Sequence, residues 1–223
     1  SKIEIVSFLG IGFLLLAYQR DLGPALLIFF VVCWLSLYEQ FTWYKLLIYL
    51  ASAIVGFIVT MQLFPHFRAR AIAWLWPWEY LDSKGYQVLQ GLFALRAGGA
   101  FGQGLGAGLV HVIPQGHTDY LLAIIGEELG FLGTFSILLT YFALAFWAFR
   151  ILSRLADQRQ QLTGLGLTLL LHGQIFMVVG GILRLVPFTG MTLPLVSYGS
   201  TSVVAQLWML GMITGMTKDG GAS

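Results

Sequence analysis

Charge is what this sequence lacks. Only 10% of its 223 residues are Asp, Glu, Lys or Arg, where an ordinary soluble domain carries about 25%. With 58% hydrophobic residues and a mean hydropathy of +0.82, that scarcity excludes a water-soluble globular domain. It points to an all-α, polytopic membrane helix bundle. Cysteine is nearly absent: Cys33 stands alone in an apolar run, which rules out a disulfide framework. A net charge of +2 offers no basic surface for nucleic acid. The opening SKIEIVSFLG has neither a basic lead nor a small-residue cleavage site, so no cleavable signal peptide is expected.

What remains is apolar runs. A membrane helix needs roughly 20 mainly apolar residues. Six stretches qualify as candidates: 3–18, 22–38, 45–64, 120–149, 165–186 and 203–217. Between the third and fourth lies a large loop, 65–118, long enough to be expected to carry function. The short connection 150–161 holds Arg150, Arg154 and Arg159. Short loops rich in Lys and Arg stay in the cytoplasm, so both termini are expected there, with 65–118 outside. The large loop also holds Arg68, Arg70, Lys84 and Arg96, but long loops translocate largely regardless of charge.

The large loop has its own texture. In AIAWLWPWEYLD, Trp74, Trp76, Trp78 and Tyr80 suit the headgroup layer, where one end of a ring is wet and the other apolar. In GYQVLQGLFALRAGGAFGQGLGAG, the first half reads as a helix. The glycines of the second half would permit either a flexible turn or a backbone cradle for a lipid headgroup. A dinucleotide loop is not supported, because no strand precedes the glycines.

Ionisable residues gather at the outer ends of the spans. Asp21 follows Arg20 in the turn QRDLGPALL, where it would also serve as a helix cap. Asp119 heads the fourth span, where a plain complement to the helix dipole is the simpler reading. Glu127 follows Asp119 by eight residues, about 80° of rotation and ~12 Å of depth, so it is placed to face the same cavity. Glu128 points roughly the other way. Ionisable groups at such depth face a bundle interior or a wet cavity. Arg184 lies near the outer end of the fifth span, and VPFTGMTLPLVSYGSTS follows it with two prolines and many hydroxyls, as in backbone that lines a cavity. From these features alone, a transporter with a midplane site remains open.

Four ordered stretches carry a resemblance: QRDLGPALL, GYQVLQGLFALRAGGAFGQGLG, GHTDYLLAIIGEELGFLG and VPFTGMTLPLVSYGSTS. Together they resemble the shape, elongation, division and sporulation proteins, the rod-shape and septal cell-wall polymerases of bacteria. Members normally have ten membrane helices. This chain resembles the last six, so four helices are expected to precede Ser1. SYGST also departs from the usual Ser-Tyr-Gly-Gly-Ser, with Ser200 in place of the second glycine.

The resemblance implies a peptidoglycan glycosyltransferase of the bacterial cytoplasmic membrane. It would polymerise lipid II, an undecaprenyl-linked disaccharide-pentapeptide, for elongation, division or sporulation. A lipid II flippase and a non-catalytic scaffold are the alternatives. The expected partner is a class B penicillin-binding protein transpeptidase, alongside membrane lipids. Asp119 matches the family's essential acid and is the expected catalytic base. Asp21, Tyr86, Gln87, His117, Thr118, Ser197 and Ser200 fall in the matching motifs and are expected to contact substrate. Arg20, Arg70, Arg96 and Arg184 are candidates for the pyrophosphate by position. A divalent cation, Mg or Mn, is a candidate cofactor, with Asp119 and Asp21 as candidate ligands. Glu127 and Glu128 are expected to stabilise the bundle around the cavity.

Overall fold

The computed structural model describes residues 22–81, 84–108, 113, 116 and 118–219. The expected first span, with Arg20 and Asp21, and His117 lie outside the described residues. Within the described residues every regular element is helical: α1 (Leu22–Glu39), α2 (Trp43–Leu63), α3 (Pro65–Leu75), a 3-10 turn (Pro77–Tyr80), α4 (Lys84–Gly98), α5 (Leu121–Leu152), α6 (Gln158–Ile182) and α7 (Ser200–Asp219). Helices therefore stand where the apolar runs place spans two to six. By length and composition α2, α5 and α6 can each cross a membrane, and α1 is a shorter apolar helix.

The end signals explain the boundaries. α3 starts on Pro65, whose missing N–H costs nothing in a first turn. α6 begins seven residues before its apolar run because the Asp157 carboxylate accepts from Arg159 N at 3.0 Å and caps the helix. It closes where Arg184 turns into the left-handed region at φ 59°, with Leu185 N bonded back to Gly180 O at 2.7 Å.

α5 is the axis of the fold, packed against α4, α6 and α7, while α6 also holds α1. The main core joins the head of α5 to the tail of α6 and to the segment after it: Tyr120, Leu122, Ile175, Ile182, Met191 and Leu193 are all buried. A smaller cluster of Leu152, Leu155 and Leu165 closes the opposite end. None of the residues of α2 is buried.

α5 is not continuous. At Gly130 the backbone takes φ 69° and ψ −165°, a region essentially restricted to glycine. A regular helix would bond Phe131 N to Glu127 O and Leu132 N to Glu128 O. Here the glycine-rich loop after α4 takes those bonds instead. Phe131 N donates to Gly99 O (2.8 Å) and Leu132 N to Ala100 O (3.2 Å), while Gln103 N donates to Glu127 O (2.9 Å) and Gly104 N to Glu128 O (3.0 Å). Glycine is required by space as well. A Cβ on Gly102 would stand 2.1 Å from Glu128 O, and one on Gly98 1.8 Å from Gly126 O. Beyond the flexible turn or headgroup cradle expected of this loop, its main chain completes a broken helix.

Candidate functional site

Asp119 comes from the turn before α5, and Arg70 from the middle of α3. They meet over Gly190, in the segment between α6 and α7. A Cβ on Gly190 would lie 3.5 Å from Asp119 Oδ2 and 3.4 Å from an Arg70 terminal nitrogen. Gly190 has φ +76°, which an L side chain rarely adopts, so the space above it stays open to both groups. Arg70 is fixed there by donating to Thr189 O at 2.8 Å.

The segment 187–199 has no regular structure, and besides Arg70 of α3, side chains from three further helices supply hydrogen bonds to it. Gln174 of α6 donates to Thr192 O at 2.8 Å, and Tyr141 of α5 donates to Pro194 O. Gln206 of α7 accepts from Leu195 N at 2.8 Å and donates to Ser202 Oγ at 2.7 Å. Ser197 Oγ accepts from Leu193 N at 3.0 Å and donates to Thr118 O at 2.6 Å. One buried hydroxyl thus ties this segment to the residue before Asp119. Buried main chain without such partners would be costly; with them, the segment is held against the helices around it.

Tyr120 anchors the acid from the other side. It is 1% exposed, tilts against Phe188 with ring centroids 4.6 Å apart, and lies so close to Gly91 of α4 that a Cβ there would stand 2.6 Å from its ring. Its hydroxyl has no hydrogen-bond partner among the described residues. Burial first, and then the negative charge of Asp119, push that hydroxyl well above the usual tyrosine range, against the opposing pull of Arg70. The phenol therefore stays neutral beside the acid.

An apolar cleft opens from Arg70. A cavity of ≈ 110 Å³ is lined by Leu26, Phe57, Phe67, Arg70, Phe188 and Thr189, among others. Leu26, Phe57 and Phe67 also line an adjoining groove of ≈ 130 Å³ between α1 and α2. A cation stands at one end, and mostly hydrocarbon lines the remainder. That arrangement suits an amphiphile with an anionic head.

The other residues singled out in the sequence are distributed differently. Thr118 and Ser197 meet through the hydrogen bond above. Ser200 is exposed at the start of α7. Tyr86 and Gln87 stand on the first turn of α4, with Tyr86 37% exposed and Gln87 half-buried. Arg96 is exposed in the last turn of that helix, five residues or about 7.5 Å beyond Gly91. Arg184 points to main chain, donating to Trp74 O at 2.6 Å. Glu127 is buried and Glu128 half-buried; they do not diverge as helical spacing implied. A Cβ on Gly108 would meet Glu127 Oε2 and Glu128 Cγ at 3.0 Å each, so both acids abut the end of the glycine loop. Among the described residues no three His, Cys, Asp or Glu side chains form a metal-binding group.

Gly190, Tyr120, Gln174 and Gln206 were not singled out from the sequence. The two glutamines did carry a signal: amides within otherwise apolar helices need polar partners.

Residues 2–219 match the family model described as Cell cycle protein, of FtsW, RodA and SpoVE. The chain is 37% identical over 201 residues to the peptidoglycan glycosyltransferase RodA of Mycobacterium bovis, covering 89% of this chain and 42% of the relative. It is 31% identical over 215 residues to the probable peptidoglycan glycosyltransferase FtsW of Francisella salina, covering 93% and 53%. A solved peptidoglycan synthase complex that coordinates polymerization and crosslinking contains a chain of similar fold. The TM-score is 0.76 at 29% identity, covering 94% of this chain and 59% of that one. The chain thus spans about half the length of the relatives it matches.

Proposed function

The chain belongs to the FtsW, RodA and SpoVE family of cell cycle proteins, and we propose that it carries the active-site face of a peptidoglycan glycosyltransferase acting on lipid II. The observation that supports this reading is the meeting of Asp119 and Arg70 over Gly190, with Arg70 also lining an apolar cleft. The polyprenyl chain would occupy the groove between α1 and α2, and the pyrophosphate would face Arg70.

In the reaction, a sugar hydroxyl of one lipid-linked saccharide attacks the anomeric carbon of another. Asp119 accepts the hydroxyl proton as general base. The bond from the anomeric carbon to the pyrophosphate oxygen breaks, and undecaprenyl pyrophosphate leaves with the electron pair, its charge met by Arg70. Tyr120, buried and held neutral beside Asp119, adds no second base. A divalent cation at the pyrophosphate would have Asp119 as its described carboxylate ligand. The cross-linking partner in this reading is a class B penicillin-binding protein. The site faces outward in the bacterial cytoplasmic membrane, with both termini of the chain in the cytoplasm, as the arginine-rich turn after α5 favours.

The test is polymerisation of purified lipid II by a full-length relative in which this chain replaces the matching segment. Asp119→Asn keeps the shape and removes the base, so glycan synthesis should fall by about 10²–10⁴, the usual worth of a positioned base. Undiminished strands would refute the assignment. Loss of strands in both forms, with lipid II still crossing the membrane, would favour transport instead.

A further inference from the structure

The glycine-rich loop that completes α5 presents two large apolar side chains outward. Phe101 is 82% exposed and Leu105 80%, and both are flanked by glycines with positive φ, at 99, 102, 104 and 106. No charged residue occurs from Ala97 to Gly108.

The level of this loop relative to the membrane follows from α5. Its 32 residues are more than the roughly 20 that a ~30 Å hydrocarbon layer requires. The stretch from Leu129 to Phe149 carries no charge, with Glu128 before it and Arg150 after it; it has the length of one crossing. The break at Gly130 therefore lies at one edge of the hydrocarbon. The loop is bonded to Phe131 and Leu132 and shares that level.

Two further features fit that edge. Phe131 and Phe135 of α5 are 64% and 49% exposed and stack at 5.6 Å, so the loop continues a lipid-facing surface. Irregular main chain can enter hydrocarbon only when its polar groups are satisfied within the protein. Here Gly99 O, Ala100 O, Gln103 N and Gly104 N are satisfied by the broken helix, and Gly102 N by Gly98 O at 2.7 Å. A loop in water would need none of these bonds.

We propose that residues 99–108 form a membrane wedge, in which Phe101 and Leu105 insert among lipid chains at the hydrocarbon edge beside Phe131 and Phe135. Arg96, exposed one turn before the loop, lies at the level of the lipid phosphates. The wedge fixes the depth at which α4 and the head of α5, with Asp119, stand above the bilayer.

The test uses the whole chain in lipid nanodiscs, with Cys33→Ser as background and a nitroxide on Phe101→Cys or Leu105→Cys. Phe135→Cys serves as the lipid reference and Ala156→Cys, exposed in the turn between α5 and α6, as the aqueous one. Collision with dissolved oxygen should exceed collision with a water-soluble nickel chelate at both 101 and 105, the order expected at 135 and the reverse of that at 156. Nickel-dominated collision at either site would place the loop in water and overturn the wedge. Low collision with both probes would mean that protein, from this chain or a second copy, covers the loop, and would equally overturn it.

Discussion

Arg184 and Trp74 hold each other by their main chains. The Arg184 guanidinium donates to Trp74 O at 2.6 Å, and the Trp74 indole donates to Arg184 O at 2.9 Å. The pair fastens the end of α3 to the end of α6, and so sets where Arg70 stands relative to the 187–199 segment. Arg184 does this from a left-handed backbone, φ 59°, and its Nε has no hydrogen-bond partner among the described residues.

Arg184→Ala should accordingly act on stability. A hydrogen bond from a charged donor contributes about 1.5–3 kcal/mol and a neutral one about 0.5–1.5 kcal/mol. Thermal unfolding in detergent should show a larger loss for Arg184→Ala than for Trp74→Phe. Unchanged stability with abolished glycan synthesis would make Arg184 a pyrophosphate ligand instead.

Arg70 should separate charge from anchoring. Arg70→Ala removes both the cation and the bond to Thr189 O, and turnover should fall by about 10²–10³, as when one preorganised transition-state donor is deleted. Arg70→Lys keeps the charge but not the planar fork and should recover part of the rate. Equal turnover in both variants and the parent would remove Arg70 from the site.

Gly190→Ala tests the open space between acid and cation. The left-handed backbone costs an L residue about 1–2 kcal/mol, and the methyl would stand between Asp119 and Arg70. Gly106 is the control, because it has the same φ of +76° with nothing within 4 Å of its Cβ position. Both variants should lose similar stability, but only Gly190→Ala should raise KM or lower kcat. Equal kinetics in the two variants would show that the space is not used.

Gly130→Ala should open the stitched helix. Its Cβ would lie 2.3 Å from Gly102 N and 2.7 Å from Ala100 O, so the loop must shift, beyond a backbone strain of about 1–3 kcal/mol. Limited proteolysis should cut within residues 99–108 faster than in the parent. An unchanged cleavage rate would show that the loop holds its place without these bonds.

By itself the sequence determined the helices and the chemistry at their ends. In hydrocarbon the main chain must satisfy itself in helices or a closed barrel, and runs of about 20 apolar residues select helices, so α1, α2, α5, α6 and α7 fall where the apolar runs are. Asp119 was legible as an acid at the mouth of a span, and the four ordered motifs were enough to identify the family. Tertiary structure alone decided the partners. Arg70 and Arg184 look alike in sequence, yet one reaches Asp119 across Gly190 and the other clasps Trp74. The glycines from 98 to 108 announced close approach but not its object, because hydrogen bonds between a loop and a broken helix leave no periodic trace in either segment. Local sequence sets φ, burial and helix ends; which distant carbonyl a donor meets depends on how the helices pack.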